Sequence, residues 1–97
     1  MSRPNGPEAT IEQHLRQQIE GAGGVCLKFK STRAGVPDRI VAINGHTVFV
    51  ELKAPQTGRL SKLQEYYIKR LRRSGADVRV IDSIPDVDAL ITELLAA

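Results

Sequence analysis

Three residues of this sequence stand at spacings that could do chemistry: Asp38, Glu51 and Lys53. Asp38 lies in Gly35-Val36-Pro37-Asp38-Arg39-Ile40-Val41, and the other two close Val48-Phe49-Val50-Glu51-Leu52-Lys53. Both runs read as strands, and Asn44-Gly45 between them is a strong signal for a two-residue β-hairpin turn. Counting outward from that turn, Ile43 faces His46, Val41 faces Val48, Arg39 faces Val50 and Asp38 faces Glu51. Directly opposed residues share a face, with β-carbons about 4.5–5.5 Å apart. Two carboxylates at that distance repel and raise one another's pKa, so positive charge is expected between them. Lys53, two residues past Glu51, projects from the same face. Two carboxylates and an ammonium then converge at one end of the hairpin, as a divalent-metal site with a lysine beside it. Hard oxygen ligands suit Mg²⁺ or Mn²⁺ rather than Zn²⁺. Such a cation activates water and neutralises charge on a phosphoryl oxygen. Lys53 would orient the attacking water or stabilise the transition state.

The elements that must position these groups can be read from periodicity. Pro7 suits the first turn of a helix, and Ile11, Leu15 and Ile19 recur at spacing four as its buried stripe. The Gly21-Ala22-Gly23-Gly24 run follows a helix and precedes a strand, the reverse of a dinucleotide fingerprint, and reads as a helix end. Val25, Leu27 and Phe29 alternate with Cys26, Lys28 and Lys30 as the first strand. A loop from Ser31 to Pro37 leads to the hairpin, roughly Asp38–Ile43 and His46–Lys53. Pro and Gly break the chain between Ala54 and Arg59. Ser61-Lys62-Leu63-Gln64 opens a second helix with a stripe of Leu60, Leu63, Tyr67 and Leu71, ended by Gly75. Asp77–Ile81 is a fourth strand. Ser83-Ile84-Pro85-Asp86 starts a third helix, whose apolar face is Val87, Leu90, Ile91, Leu94 and Leu95. The expected fold is a small α/β domain of order αβββαβα with a mixed central sheet flanked by helices. It spans residues 1–97 as a single unit, with residues 1–6 flexible.

Composition narrows the function classes. The chain has 97 residues, 14 Lys and Arg against 11 Asp and Glu, and a formal net charge of +3. The six bases between Arg59 and Arg73 against one acid, Glu65, form a positive stretch, whereas Asp82 onward has four acids and no base. A positive face on a balanced domain fits a polyanion partner or a solvated helix face. Cys26 is the only cysteine, which excludes a disulfide framework and a thiolate zinc site. No apolar run approaches the ~18 residues of a membrane span, and no signal-peptide core is visible. The expected location is the cytoplasm of a bacterial or phage-infected cell. His14 and His46 lack a second ligand at useful spacing, so surface roles are expected for both.

Pro37-Asp38 followed by Glu51-Leu52-Lys53 resembles the PD-(D/E)xK nuclease signature. Gly35-Val36-Pro37-Asp38 is similar to its Gly-x-Pro-Asp form. Glu12 lies in the first helix, where many of these nucleases carry an additional acid, and Gln64 lies in the helix after the lysine strand. With the element order, these features resemble the virus-type replication-repair nuclease family, VRR-NUC, over nearly the whole chain. The resemblance implies metal-dependent hydrolysis of phosphodiesters. It implies Asp38 and Glu51 as metal ligands, the backbone carbonyl of Leu52 as a third, Lys53 as catalytic lysine, and Glu12 and Gln64 in supporting roles. For small stand-alone members found in phages and bacteria, it implies a homodimer cutting branched DNA such as Holliday junctions.

Several residues have other readings. Ser61-x-x-Gln64 is a capping box, so Gln64 serves the helix alone or the helix and the site together. Glu12 is also compatible with an ordinary exposed helix acid. Lys28, Lys30, Arg33, Arg39, Arg59 and Lys62 flank the site or open the second helix and are the expected phosphate contacts. Two other function classes fit the same fold. One is a non-catalytic module for DNA binding or dimerisation; the other is a nicking, flap or exonuclease enzyme.

Overall fold

The structure, a computed structural model, describes residues 6–96. The flexible start expected for residues 1–6 therefore lies outside the described residues, apart from Gly6. That residue is extended (φ −74°, ψ 176°) and opens the first helix. The elements are α1 Pro7–Gly21, β1 Val25–Lys28, β2 Arg39–Ile43, β3 His46–Leu52, α2 Lys62–Arg73, β4 Val78–Ile81 and α3 Ile84–Ala96. They follow the expected order. One four-stranded sheet runs β1-β2-β3-β4. Its first three strands are antiparallel and β3 pairs with β4 in parallel. Helix α2 supplies the crossover that a parallel pair requires.

The hairpin turn fixes the register. Asn44 (φ 51°) and Gly45 (φ 81°) are both left-handed, as the favoured two-residue hairpin turn demands. Ile43 pairs with His46, Val41 with Val48 and Arg39 with Val50, as counted from the sequence. The Asn44 amide also donates to the Leu94 carbonyl at 2.9 Å. It thereby satisfies one of the carbonyls that the end of α3 leaves without a helical partner and ties the turn to that helix.

Side-chain alternation then divides the sheet. Val41, Ile43, Val48, Val50, Leu52 and Ile81 form one buried cluster with Ile11, Leu15 and Ile19 of α1 and Val87, Leu90, Ile91 and Leu94 of α3. Helices α1 and α3 therefore share one face. Phe49 and Glu51 point the other way, toward α2. Its Ile68 is buried, and its Arg72 holds the Val78 carbonyl with Nε and Nη2 at 3.1 and 2.6 Å.

Three local expectations are corrected. The first strand stops at Lys28 rather than Lys30, although the Phe29 amide still donates to the Asp38 carbonyl at 2.8 Å. On this strand Cys26 packs against the core, while Val25 and Leu27 stand 47% and 58% exposed. The stripe of α2 is shifted by about one residue: Ile68 is buried and Leu63 is 46% exposed. The helix turns Gln64 and Ile68 toward the sheet and leaves Leu63 to pack on the loop before β2. On α3, Leu95 is likewise exposed at the end of an otherwise buried face.

That loop contact identifies why residue 35 is glycine. Gly35 has φ +90°, and a Cβ there would lie 2.7 Å from Leu63 Cγ and 2.9 Å from the Leu63 carbonyl carbon. Both the conformation and the space exclude a side chain. Gly45 has a similar φ but nothing within 4 Å of a built Cβ. Gly35→Ala is therefore expected to cost about 1–3 kcal/mol, which lowers Tm by about 4–8 °C per kcal/mol in a domain of this size. Gly45→Ala should cost less. Thermal melts of the two variants check this, and equal losses would contradict the role of the Leu63 contact.

Candidate active site

Glu51 lies between Val50 and Leu52 of β3, both fully buried against α1 and α3. Alternation forces its carboxylate onto the opposite face, where it is only 7% exposed. Burial pushes the Glu51 carboxyl above its ordinary range; Lys53 opposes that push, and the charges of Asp38 and Glu8 add to it. Pairing of β2 and β3 ends at Arg39–Val50. Asp38 is one residue beyond that rung, and its charge is felt at Glu51.

Each of the two acids has a base beside it, Lys53 at Glu51 and Arg39 at Asp38. Lys53 Nζ lies 3.8 Å from Glu51 Oε2. Arg39 is 4% exposed. Its Nη1 donates to Asp38 Oδ1 at 2.8 Å, and its Nε donates to Glu12 Oε2 at 3.2 Å. Nη2 is 2.8 Å from the same Glu12 oxygen. Arg39 was expected among the phosphate contacts; here its guanidinium is engaged by two carboxylates. A guanidinium does not shed its proton, so once buried it must be paired, and these two carboxylates pair it. Glu12 is consequently linked to Asp38 through Arg39.

Gln64 fills both of the roles open to it. Ser61 Oγ accepts from the Gln64 amide at 3.1 Å, and Gln64 Oε1 accepts from the Ser61 amide at 2.8 Å. This is a complete capping box. Because Oε1 is committed to the cap, Nε2 is turned outward and donates to Glu51 Oε2 at 3.2 Å. The segment after Lys53 folds back through a Gly58 amide to Ala54 carbonyl hydrogen bond of 3.0 Å, which returns the chain toward the sheet before α2 begins. The Leu52 side chain is in the core, so only its backbone could serve a ligand.

The remaining expected residues are exposed. Lys28 is at the end of β1, Lys30 follows it, and Arg59 and Lys62 flank the start of α2. Arg33 is also exposed and reaches the Tyr67 hydroxyl at 3.5 Å. Sequence reasoning missed two residues. Glu8 is one helical turn before Glu12 on the same side of α1, and its charge acts on Glu51. Arg16 shares with Lys28 an open cleft of about 580 Å³ between α1 and β1, in which Arg39 also takes part. The i, i+4 spacing of Glu8, Glu12 and Arg16 was the available signal. His14 joins α1 to α3 through Asp88 at 2.7 Å. Among the described residues, no group of three His, Cys, Asp or Glu side chains converges as a metal cluster. What the site offers is two carboxylates at the adjoining ends of β2 and β3, Asp38 and Glu51, with hard oxygen donors and with the charges of Asp38 and Glu8 acting on Glu51. Its unfavourable charge fits a hard divalent cation.

A buried acid whose pKa is raised destabilises the fold when ionised. Its penalty is absent below the ordinary glutamate range and grows as pH rises through the folded value. Glu51→Gln removes the charge and keeps an acceptor for Gln64. The variant should melt higher than the wild type at neutral pH in chelator, and the gap should close as pH falls toward about 4. Melting curves across that range check this; a variant that melts lower at pH 7 would contradict it.

The comparisons with known proteins identify the family and the fold. The VRR-NUC domain model matches residues 3–85. A curated relative, "Putative nuclease p44" of Acyrthosiphon pisum secondary endosymbiont phage 1, is 44% identical over 78% of this chain and 83% of its own. A solved structure described as a VRR_NUC domain superposes with TM-score 0.82 at 30% identity, covering 90% of this chain and 96% of the other. A second, described as a VRR_NUC domain protein, has TM-score 0.71 at 17% identity, covers 93% and 88%, and shows the shared fold. The chain belongs to the VRR-NUC domain family, a family of nucleases.

Proposed function

We propose that the chain is a Mg²⁺- or Mn²⁺-dependent endodeoxyribonuclease that works as a homodimer on branched DNA, four-way junctions in particular. The observation that carries this reading is the Glu51 carboxylate. It is buried at the sheet end, burdened by the charges of Asp38 and Glu8, and contacted by Lys53 and Gln64. Such an arrangement is costly unless a cation is to be held there.

In this reading Asp38 and Glu51 hold the cation, with the Leu52 carbonyl as the neighbouring backbone donor. When bound, the cation supplies charge neutralisation to a phosphodiester and lowers the pKa of water. Lys53 presents its ammonium next to Glu51, where it stabilises negative charge gathering on the phosphate. Gln64, aimed by its cap, holds one Glu51 oxygen and so fixes the orientation of that carboxylate. Glu12 acts through Arg39. The exposed Lys28, Lys30, Arg33, Arg59 and Lys62, joined by Arg16, supply phosphate contacts. Two strands of a symmetric junction need two sites related by a twofold axis, and the exposed Val25 and Leu27 on edge strand β1 are available for such an interface.

The test is a cleavage assay on four-way junction and linear duplex DNA with Mg²⁺ or Mn²⁺ and with chelator, alongside light scattering. Junction cutting should require the cation. Lys53→Ala should reduce cutting by at least about 100-fold while DNA retention in chelator-containing gels persists. Binding should weaken steeply with salt. Full activity of the variant, or activity in chelator, would remove the metal mechanism. DNA retention with no cutting by the wild type would favour a binding module. A monomer that cuts duplex and junction equally would remove the dimeric junction reading alone.

A further inference from the structure

Arg39 is buried at the boundary between α1 and the candidate site, and all three of its guanidinium nitrogens are committed. Nε and Nη2 converge on a single oxygen of Glu12, at 3.2 and 2.8 Å, while Nη1 takes Asp38 Oδ1 at 2.8 Å. On the sheet, Arg39 pairs with Val50, the residue before Glu51. Its backbone therefore sits on the last rung before the two acids. A planar fork held at both ends fixes direction as well as charge. With Oδ1 bound to Nη1, Oδ2 is the Asp38 oxygen that this clamp leaves available. Asp38 keeps 41% of its side chain exposed, against 5% for Arg39, so the carboxylate is open on one side and clamped on the other.

We infer that Arg39 is a positioning residue for Asp38: anchored on α1 by Glu12, it turns one oxygen of that carboxylate toward the site shared with Glu51. Glu12 then serves as the anchor of Arg39. The inference rests on the metal-site reading proposed above. It concerns how affinity for the cation is built. Two effects of Arg39 oppose each other. Its positive charge repels a nearby cation, but Glu12 already neutralises that charge. Its orienting contact to a ligand carboxylate is of the kind whose loss costs about 10–100-fold in metal affinity. Orientation therefore decides the sign.

The experiment measures Mn²⁺ affinity by calorimetry and by the electron paramagnetic resonance signal of free Mn²⁺. It uses the full chain well below its melting temperature, with melting curves in chelator beside it. The wild type should bind Mn²⁺. Arg39→Met should bind about 10–100-fold more weakly, and Arg39→Lys should fall between, since one ammonium keeps the charge but cannot span both acids. Glu12→Gln keeps an oxygen for Nε and Nη2 but not the charge that neutralises Arg39, and should fall between the wild type and Glu12→Ala, which should lose affinity. If Arg39→Met does not fold, Arg39→Lys and the two Glu12 variants decide. Lower melting temperatures with unchanged Mn²⁺ affinity would overturn the inference, leaving Arg39 a structural residue. Tighter binding in the Arg39 variants would overturn it in favour of charge repulsion. Glu12→Gln losing as much affinity as Asp38→Asn would overturn it by making Glu12 a ligand. A wild type that binds no Mn²⁺ would overturn the metal reading itself, and the inference with it.

Discussion

Burying an ionised carboxylate is among the costlier things a small domain can do. Here the cost falls on Glu51, in a strand paired on both sides by β2 and β4. The neighbours of Glu51 allow it no other place. Val50 and Leu52 belong to the cluster under α1 and α3, so the pleat delivers Glu51 to the opposite face, and a one-residue slip would exchange the whole set. The same register that builds the core thus also builds the site. Lys53 and Gln64 offset part of the burial, yet the carboxyl remains pushed above its usual range.

Much of the surrounding structure bears on that one group. The loop before β2 meets the first turn of α2 where Gly35 abuts Leu63, which sets the start of the helix beside the sheet. The capping box commits one end of the Gln64 amide and leaves the other to Glu51. From the other side, α1 supplies Glu8 and Glu12, and Arg39 ties the latter to Asp38. Four acids, Glu8, Glu12, Asp38 and Glu51, gather around two bases, Arg39 and Lys53. A chain whose formal charge is +3 therefore concentrates an excess of negative charge at one end of its sheet. The exposed bases are on β1, the following loop and the start of α2.

Sequence and structure agree where a local rule is strong. Asn44-Gly45 fixes two left-handed residues, and the rungs counted from it follow as far as Arg39 and Val50. The stripes of α1 and α3 were legible because both helices bury a continuous apolar face. The face of α2 was not. Its polar Gln64 faces inward to reach Glu51, while apolar Leu63 packs on a loop, and binary patterning reads that helix about one residue out of phase. The burial of Arg39 was not legible, because it is paired by Glu12, 27 positions earlier, a partner that strand patterning does not reveal. Glu8 escaped for a similar reason. Its relation to Glu51 is created by packing α1 on the sheet, and only its helical spacing from Glu12 hinted at it. The family resemblance identified the motif residues but not the contacts that hold them.

The central claim is that Asp38 and Glu51 together form a site for a divalent cation. Anomalous diffraction from crystals soaked in Mn²⁺ tests it most directly, because it locates the ion without reference to activity. The expected result is a strong peak within coordination distance of both carboxylates, absent after Glu51→Gln. A peak elsewhere on the chain, or none at Mn²⁺ concentrations that support DNA cleavage, would contradict it.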